Sequence, residues 1–263
     1  MAKLSVVATP IGNLEDITLR ALRTLREADI IACEDTRTSK KLLAHYDIHT
    51  PQTSFHTHSG TKGFAKIIAL LQEGKHVALI CDAGTPGISD PGLELVSIIR
   101  EQTEQLFLKQ MVWPSPSKKN YKKVGEGDPR TFAEEKSASP ATTIIEAIPG
   151  PSALAAALSI AGLRAASFTF LGFLPLKKGR ETLFKEMAGS DRASIFYESP
   201  HRIVKTLESL IKFLPVGKRV GIYRELTKMH EESLVGTPAE LLELLLKDPN
   251  HQRGEFVVIV EGR

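Results

Sequence analysis

The chain of 263 residues has few cysteines and few aromatic side chains, and each shortage excludes a class of protein. Its two cysteines, Cys33 and Cys81, each end an apolar, strand-like run. They indicate small buried residues in a reducing cytoplasm, and not a disulfide or metal framework. Aromatic residues make up 6% of the chain, which argues against a surface that reads single-stranded bases mainly by stacking.

Membrane segments and common nucleotide-binding motifs are also missing. No apolar run approaches the roughly 18 residues of a transmembrane helix, and residues 1–7 begin a strand instead of a signal peptide. There is no G-x-x-x-x-G-K-S/T motif, and Gly84, Gly87 and Gly92 do not make a G-x-G-x-x-G fingerprint. We therefore expect a soluble, cytoplasmic protein without membrane contact, and neither a P-loop NTPase nor a Rossmann dinucleotide-binding protein.

Charge and histidine placement give weaker signals. The net charge is +3, and residues 164–263 carry 16 basic and 13 acidic side chains, so the basic excess lies mostly in the C-terminal part. This permits an anionic partner without requiring one. His56 and His58 could be two metal ligands on one strand face, but no third ligand lies near them in sequence. We therefore predict no metal site.

The chain does contain a regular alternation of strand-like and helix-like segments. Its first 100 residues include the strand-like runs Leu4–Thr9, Ile30–Cys33 and His76–Cys81, separated by segments with helical spacing. This order predicts a parallel or mixed sheet with helices on both faces. Ligands bind such sheets beyond the carboxyl ends of the strands. Polar, turn-forming loops follow the strands at residues 8–13, 34–37 and 82–92.

Residues 101–140 interrupt the alternation, which resumes further along the chain. They lie between a helix expected at Leu93–Arg100 and a strand expected at Thr143–Ile148, and include lysines between 118 and 123. We predict an insertion that is flexible or partly disordered. A second series of strands and helices begins near Gly162. The expected architecture is two α/β domains, residues 1–162 and 163–263, with a cleft between them.

Six polar motifs follow apolar strands, and in this order they resemble a known family. The motifs are SVVATPIGNLEDITLRA, ACEDTRTSKKLL, DAGTPGISDPG, IPGPSALAAAL, FYESPHRI and RELTKMHEE. Together they resemble the tetrapyrrole methylase superfamily of class III methyltransferases, and within it the branch that methylates small-subunit ribosomal RNA. The resemblance covers nearly the whole chain except residues 101–140.

The resemblance implies a substrate, a cofactor and an assembly. The expected fold is two α/β domains with S-adenosylmethionine in the cleft, released after the reaction as S-adenosylhomocysteine. The expected reaction is 2′-O-methylation of a cytidine ribose in the decoding region of small-subunit (16S) ribosomal RNA. The partner would be that RNA or the 30S subunit, and family members of this fold are typically homodimers.

The resemblance also implies which residues contact the cofactor. They are Pro10, Asp82, Ala83, Gly84, Thr85, Ser152, Ala153, Tyr197 and Gly254. The loop at residues 82–92, which follows the strand-like run His76–Cys81, suits this role. A carboxylate can pair with an ammonium or sulfonium, and small residues let the backbone approach closely. Asp90 is better explained as the cap of the next helix, with Pro91 as its first residue.

The ribose 2′-hydroxyl attacks the methyl group, and a nearby base or cation should help its proton leave; the polar motifs offer several candidates. The candidates are Asp35, Arg37, Glu198, His201, Arg202, Glu225 and Lys228. Each has an alternative role as an ion pair across the domain interface or as a phosphate contact. The sequence does not choose among them.

Two other functions remain open at this point. The same fold could serve a tetrapyrrole C-methyltransferase or a diphthine synthase, although FYESPHR and CEDTR match the RNA-modifying branch and the first loop reads TPIGNLED, not G-x-G-P-G-D. A non-catalytic RNA-binding or assembly factor could also retain the fold.

Overall fold

The computed structural model describes residues 2–55, 61–111 and 143–263. Its strands are β1 (Lys3–Val7), β2 (Ile30–Cys33), β3 (Gln52–Ser54), β4 (His76–Ile80), β5 (Ile144–Ile148), β6 (Phe168–Phe173), β7 (Ala193–Glu198), β8 (Val220–Arg224), β9 (Glu232–Gly236) and β10 (Phe256–Val260). Its helices are α1 (Leu19–Glu27), α2 (Thr36–His45), α3 (Thr61–Gln72), α4 (Gly92–Met111), α5 (Ala153–Ile160), α6 (Arg180–Gly189), α7 (Ile203–Phe213) and α8 (Pro238–Lys247). His56, His58 and the lysines between 118 and 123 lie outside the described residues.

The first sheet is parallel throughout and has the order β3-β2-β4-β1-β5. Successive residues of a strand point to opposite faces, so Leu79 packs with α3 and α4 while Ile80 packs with α1 and α2. Both faces are covered, which explains why these strands are continuous apolar runs. The prediction of a parallel sheet with helices on both faces is confirmed.

The second sheet is mixed and has the order β6-β7-β10-β8-β9. Strands β6 and β7 are parallel, and the other pairs are antiparallel. One face packs on α6, α7 and α8 through residues such as Phe196 and Val258. The other face, with Ile195 and Val257, packs on α5. The expected fold class of two α/β sheets along one chain is therefore confirmed.

Helix α5 joins the two sheets. It follows β5 of the first sheet, yet its Ala157 packs against the second sheet, and the buried hydroxyl of Tyr223 on β8 donates to the carbonyl of Ala161, 3.0 Å away. The domain boundary near residue 162 stays a prediction, because the helix assigned to the first domain packs on the second sheet.

Two helices differ from the bounds that the sequence predicts. The sequence pattern predicts a helix over Ser39–Tyr46 with Thr38 or Ser39 as its cap. Helix α2 instead begins at Thr36, because the Asp35 carboxylate caps it by accepting the N–H of Arg37 at 2.8 Å. Helix α4 continues past Arg100 to Met111. The expected helix end at Arg100 is thus wrong, since residues 101–111 contain no glycine or proline to end the helix. The insertion at residues 101–140 stays a prediction, and residues 112–140 lie outside the described residues.

We expect Tyr223→Phe to lower the free energy of unfolding by about 1–3 kcal/mol, since the carbonyl of Ala161 is then left buried without its donor. Thermal and denaturant unfolding measure the loss. The matched control is Tyr46→Phe, which removes a hydroxyl that donates to Leu14 at a half-buried position where water can replace it. Equal effects of the two variants would contradict the proposed joining role of Tyr223.

Candidate active site

A cavity of about 430 Å³ lies where the carboxyl ends of strands from both sheets meet. Its walls on the first sheet come from the loops after β1, β2, β4 and β5. Its walls on the second sheet come from the ends of β6, β7 and β8 and the start of β10. This is where the sequence placed a ligand cleft, and the volume is in the range of small-molecule sites.

The loop after β4 is fastened to two neighbouring loops. Thr9 and Gly84 exchange two backbone hydrogen bonds, of 2.8 and 3.1 Å between nitrogen and oxygen. The Thr85 hydroxyl donates to the carbonyl of Pro151 at 2.9 Å. Gly84 has φ +82° and a Cβ there would come within 3.3 Å of Ile11, so this tight crossing requires glycine.

Three carboxylates face the cavity from the first sheet, those of Glu34, Asp82 and Asp90. Burial raises the pKa of Glu34, and the charges of Asp82 and Asp90 raise it further. Desolvation by the cleft walls also raises the pKa of Asp82, although the N–H of Asp35 opposes this with a 3.1 Å hydrogen bond. Mutual repulsion of this kind makes the wall favourable for a cation.

Asp90 has the capping role that the sequence suggested. Its carboxylate accepts the N–H groups of Gly87 and Gly92 at 2.7–2.9 Å. Helix α4 starts at Gly92, one residue after the expected first position. Asp90 therefore shapes the loop as well as lining the cavity.

Sequence reasoning missed Glu34 and selected its neighbours instead. Asp35 caps α2 and pairs with Arg37 at 2.7 Å, and the Arg37 side chain is 88% exposed. Neither lines the cavity, whereas Glu34 does. Its position in the sequence could have identified Glu34, because it is the first residue after the buried strand β2, at the edge of the sheet where ligands bind.

A cluster of aromatic side chains covers the side of the cavity opposite the three carboxylates. Tyr197 makes edge-to-face contacts with Phe170 and Phe173, with ring centroids 5.0 and 5.6 Å apart. Burial raises the pKa of Tyr197, while Ser152 and the backbone of Leu154 act in the opposite direction. Tyr197 thus lies against the start of α5, whose Ser152 and Ala153 also line the cavity.

The fully buried carboxylate of Glu198 accepts three hydrogen bonds and forms an ion pair with Arg202 at 3.1 Å. The Arg180 guanidinium, the Thr206 hydroxyl and the N–H of Ser199 donate at 3.3, 2.6 and 2.9 Å. Both carboxylate oxygens are thereby engaged. This geometry favours the ion-pair alternative for Glu198 and Arg202 over direct proton transfer.

A second charge cluster lies on the loop after β8. Lys228 contacts Glu225 at 2.8 Å and Glu255 at 3.0 Å. Burial opposes the charge on both Glu225 and Lys228, but their pairing outweighs it, so the pKa of Glu225 is lowered and that of Lys228 is raised. Glu225 and Thr227 have φ +50° and +66°, a backbone conformation that non-glycine residues adopt at a cost.

The structure brings most of the candidate residues together. Those that line the cavity are Asp82, Ala83, Gly84, Thr85, Ser152, Ala153, Tyr197, Glu198, Glu225 and Lys228. Pro10, Asp35, Arg37, Arg202 and Gly254 lie outside its lining. Gly254 is still adjacent to it, because a Cβ there would overlap the side chain of Glu225. His201 is exposed.

Neither a metal cluster nor a membrane-spanning helix occurs within residues 2–55, 61–111 and 143–263. No three histidine, cysteine, aspartate or glutamate side chains are grouped there as metal ligands. No helix in this part of the chain is long and apolar enough to cross a bilayer.

Comparison with known proteins places the chain in a family. The profile of the Tetrapyrrole (Corrin/Porphyrin) Methylases matches residues 3–107 and 124–242. The chain belongs to this tetrapyrrole methylase family. A relative from Thermotoga maritima, named ribosomal RNA small subunit methyltransferase I, is 37% identical over 100% of both chains. A relative of the same name from Halalkalibacterium halodurans is 41% identical over 98% of this chain and 75% of its own.

A solved tetrapyrrole methylase shares the fold. The uroporphyrin-III C-methyltransferase from Thermus thermophilus, crystallised with S-adenosylhomocysteine, aligns over 98% of this chain and 97% of its own with a TM-score of 0.58 and 15% identity. The resemblance seen in the six motifs is thereby confirmed for both the family and the fold.

In this tetrapyrrole methylase the two sheets also meet at Gly172. It has φ +60°, and a Cβ would come within 2.9 Å of the Ser89 hydroxyl across the cavity mouth. We expect Gly172→Ala to cost about 1–2 kcal/mol from the left-handed backbone and more from displacing Ser89. Thermal unfolding measures the sum.

The control for Gly172→Ala is Gly162→Ala. Gly162 has nearly the same φ, +58°, with nothing within 4 Å of an added Cβ, so it reports backbone strain alone. If the two variants lose the same stability, the contact between Gly172 and Ser89 contributes nothing.

Proposed function

We propose that this protein transfers a methyl group from S-adenosylmethionine to small-subunit ribosomal RNA, on the ribose 2′-hydroxyl of a cytidine. The observation that carries the proposal is the cavity between the two sheets, with an acidic wall facing an aromatic one. Full-length relatives named ribosomal RNA small subunit methyltransferase I support the choice of RNA.

The residues of the cavity fit the proposed cofactor. S-adenosylmethionine carries an ammonium and a sulfonium, and the carboxylates of Glu34, Asp82 and Asp90 provide the complementary charge. Gly84 has no side chain to block a close approach to the backbone. Tyr197 and Phe173 provide aromatic surface for the adenine ring.

The chain itself has to align the reacting atoms and compensate the charge that develops. When bound, S-adenosylmethionine supplies a methyl group already activated by the sulfonium. The wall of Glu34 and Asp82 holds the positive end, and the hydrogen bonds among the loops after β1, β4 and β5 hold the loop that carries Asp82 in place. Alignment of this kind accounts for a large part of the rate of such displacements.

The loop after β8 offers a cation at the opposite side of the cavity. Lys228 stays protonated because Glu225 and Glu255 raise its pKa, and an ammonium has three donors of which two are used here. Its third N–H can stabilise negative charge on the 2′-oxygen as that hydroxyl releases its proton to solvent. We assign this role to Lys228 and the orientation of its ammonium to Glu225.

We expect Asp82→Asn to weaken binding of S-adenosylmethionine by about 1–3 kcal/mol, the scale of a lost charge-assisted contact. The asparagine oxygen can still accept the N–H of Asp35, so the loop is retained and only the charge is lost. Isothermal titration calorimetry gives the dissociation constant, with exposed Asp191→Asn as the control. An unchanged constant in the folded variant removes Asp82 from the cofactor site.

The substrate is tested by methyl transfer in vitro. With labelled S-adenosylmethionine, we expect incorporation into small subunits purified from cells that lack the modification, on a cytidine ribose. The solved relative is instead a uroporphyrin-III C-methyltransferase, so tetrapyrrole precursors are the competing substrates. Labelling of a precursor and not of RNA rejects the proposal, and binding of RNA without any cofactor binding favours a non-catalytic factor.

Two further properties stay predictions. Homodimer formation is checked by light scattering of the purified protein. A cytoplasmic location would follow from the proposed substrate and is checked by fractionation of cells.

A further inference from the structure

The segment between β6 and α6 carries an unusual surface at the edge of the cavity. We call residues 174–179, with the sequence LPLKKG, the rim segment. It follows Phe173, which lines the cavity, and Leu176 is 76% exposed. Lys177 and Lys178 are both exposed, and no carboxylate among the described residues forms an ion pair with either. Two exposed ammonium groups without an ion pair among the described residues therefore follow the cavity-lining Phe173 by four and five residues.

The rim segment is held by its backbone. The Arg202 guanidinium donates to the carbonyl of Leu174 at 2.7 Å, and that of Arg180 donates to the carbonyl of Pro175 at 3.2 Å. The backbone N–H of Arg180 donates to the carbonyl of Lys177 at 3.2 Å. These contacts fix the path of the segment without using the side chains of the two lysines.

One buried carboxylate makes this arrangement possible. The side chains of Arg180 and Arg202 are only 14% and 21% exposed and would repel each other, but Glu198 lies between them at 3.3 and 3.1 Å. Removing one member of such a buried cluster leaves the others uncompensated. Glu198 and Pro200 also line the cavity, so the cluster couples the cavity wall to the rim segment.

We infer that the rim segment contacts the phosphate backbone of the RNA that enters the cavity, through Lys177 and Lys178, and that Arg180, Glu198 and Arg202 are positioning residues that hold the segment in place. Lysine ammonium groups bind phosphates as point charges without reading sequence. The inference rests on the proposed function and names the surface that this function uses.

The first experiment measures the salt dependence of binding to purified small subunits for Lys177→Ala/Lys178→Ala. Each lost phosphate contact removes about 0.7 from the slope of log affinity against log salt for single-stranded RNA. We therefore expect the slope to become shallower by about 1.4, on the same basis. The dissociation constant for S-adenosylmethionine should not change. A slope equal to that of the unmodified protein overturns the inference.

The matched control is Lys185→Ala/Lys212→Ala. It removes the same charge from α6 and α7, where both ammonium groups lie over the ring of Phe213 and not at the cavity. We expect its salt slope to equal that of the unmodified protein. An equally shallow slope in this control would mean that overall charge, and not the rim segment, governs binding.

The second experiment tests the positioning role with Arg202→Ala, alone and combined with Lys177→Ala/Lys178→Ala. We expect KM for small subunits to rise several-fold in the single variant while kcat and cofactor affinity are kept. If Arg202 acts through the rim segment, the combined variant should have the same KM as Lys177→Ala/Lys178→Ala, because substitutions that remove the same interaction are not additive. Additive effects, or an unchanged KM, overturn the positioning role.

A third variant covers the case that Arg202→Ala does not fold. Arg202→Lys keeps the charge near Glu198 but cannot reach both Glu198 and Leu174, so we expect an intermediate KM. A KM equal to that of the unmodified protein contradicts positioning. Failure of the unmodified protein to methylate small subunits would reject the proposed function instead, which separates the two outcomes.

Discussion

The two backbone hydrogen bonds between Thr9 and Gly84 are the constraint on which the cavity depends. They join the loops after β1 and β4 beyond the end of the sheet, where no ladder would otherwise hold them. The hydroxyl of Thr85 extends the connection to the loop before α5. Three loops from three strands thereby become one wall. Such pairing also satisfies backbone groups that would be costly to leave without partners.

The carboxylates around this cavity divide by what they touch. Those of Glu198 and Glu225 are held by arginine or lysine side chains and serve to fix neighbouring segments. For Glu34 and Asp82, desolvation raises the pKa of the carboxyl group, and the charge of Asp82 adds to the rise at Glu34. The ion-paired carboxylates hold the segments that line the cavity, whereas Glu34 and Asp82 leave negative charge available to a ligand. Residue type alone does not distinguish the two kinds.

Much of the fold could be predicted from the sequence, because buried parallel strands are continuous apolar runs and their turns are rich in glycine and proline. The apolar spacing predicts helices over Ile203–Phe213 and Pro238–Lys247, and these are the bounds that α7 and α8 have. The sequence pattern ends helix α4 at Arg100, because residues 101–111 have no clear amphipathic pattern although most of them are good helix formers.

The site was harder to predict, because function there depends on which side chains meet. Glu34 and Asp35 are adjacent and both acidic, yet one faces the cavity and the other caps α2. The cluster around Glu198 joins residues from β7, α6 and α7 that only the folded chain brings together. No spacing in the sequence shows that Arg180 lies beside Glu198.

The position of α5 has a consequence for how a ligand enters. The helix is covalently continuous with the first sheet and is buried against the second, so the two sheets cannot separate as bodies joined by a free linker. Opening the cleft that way would expose Ala157, Ile195 and Val257 together, at the full cost of apolar surface meeting water. A ligand therefore has to enter and leave by displacement of surface loops, while the two sheets and α5 keep their positions.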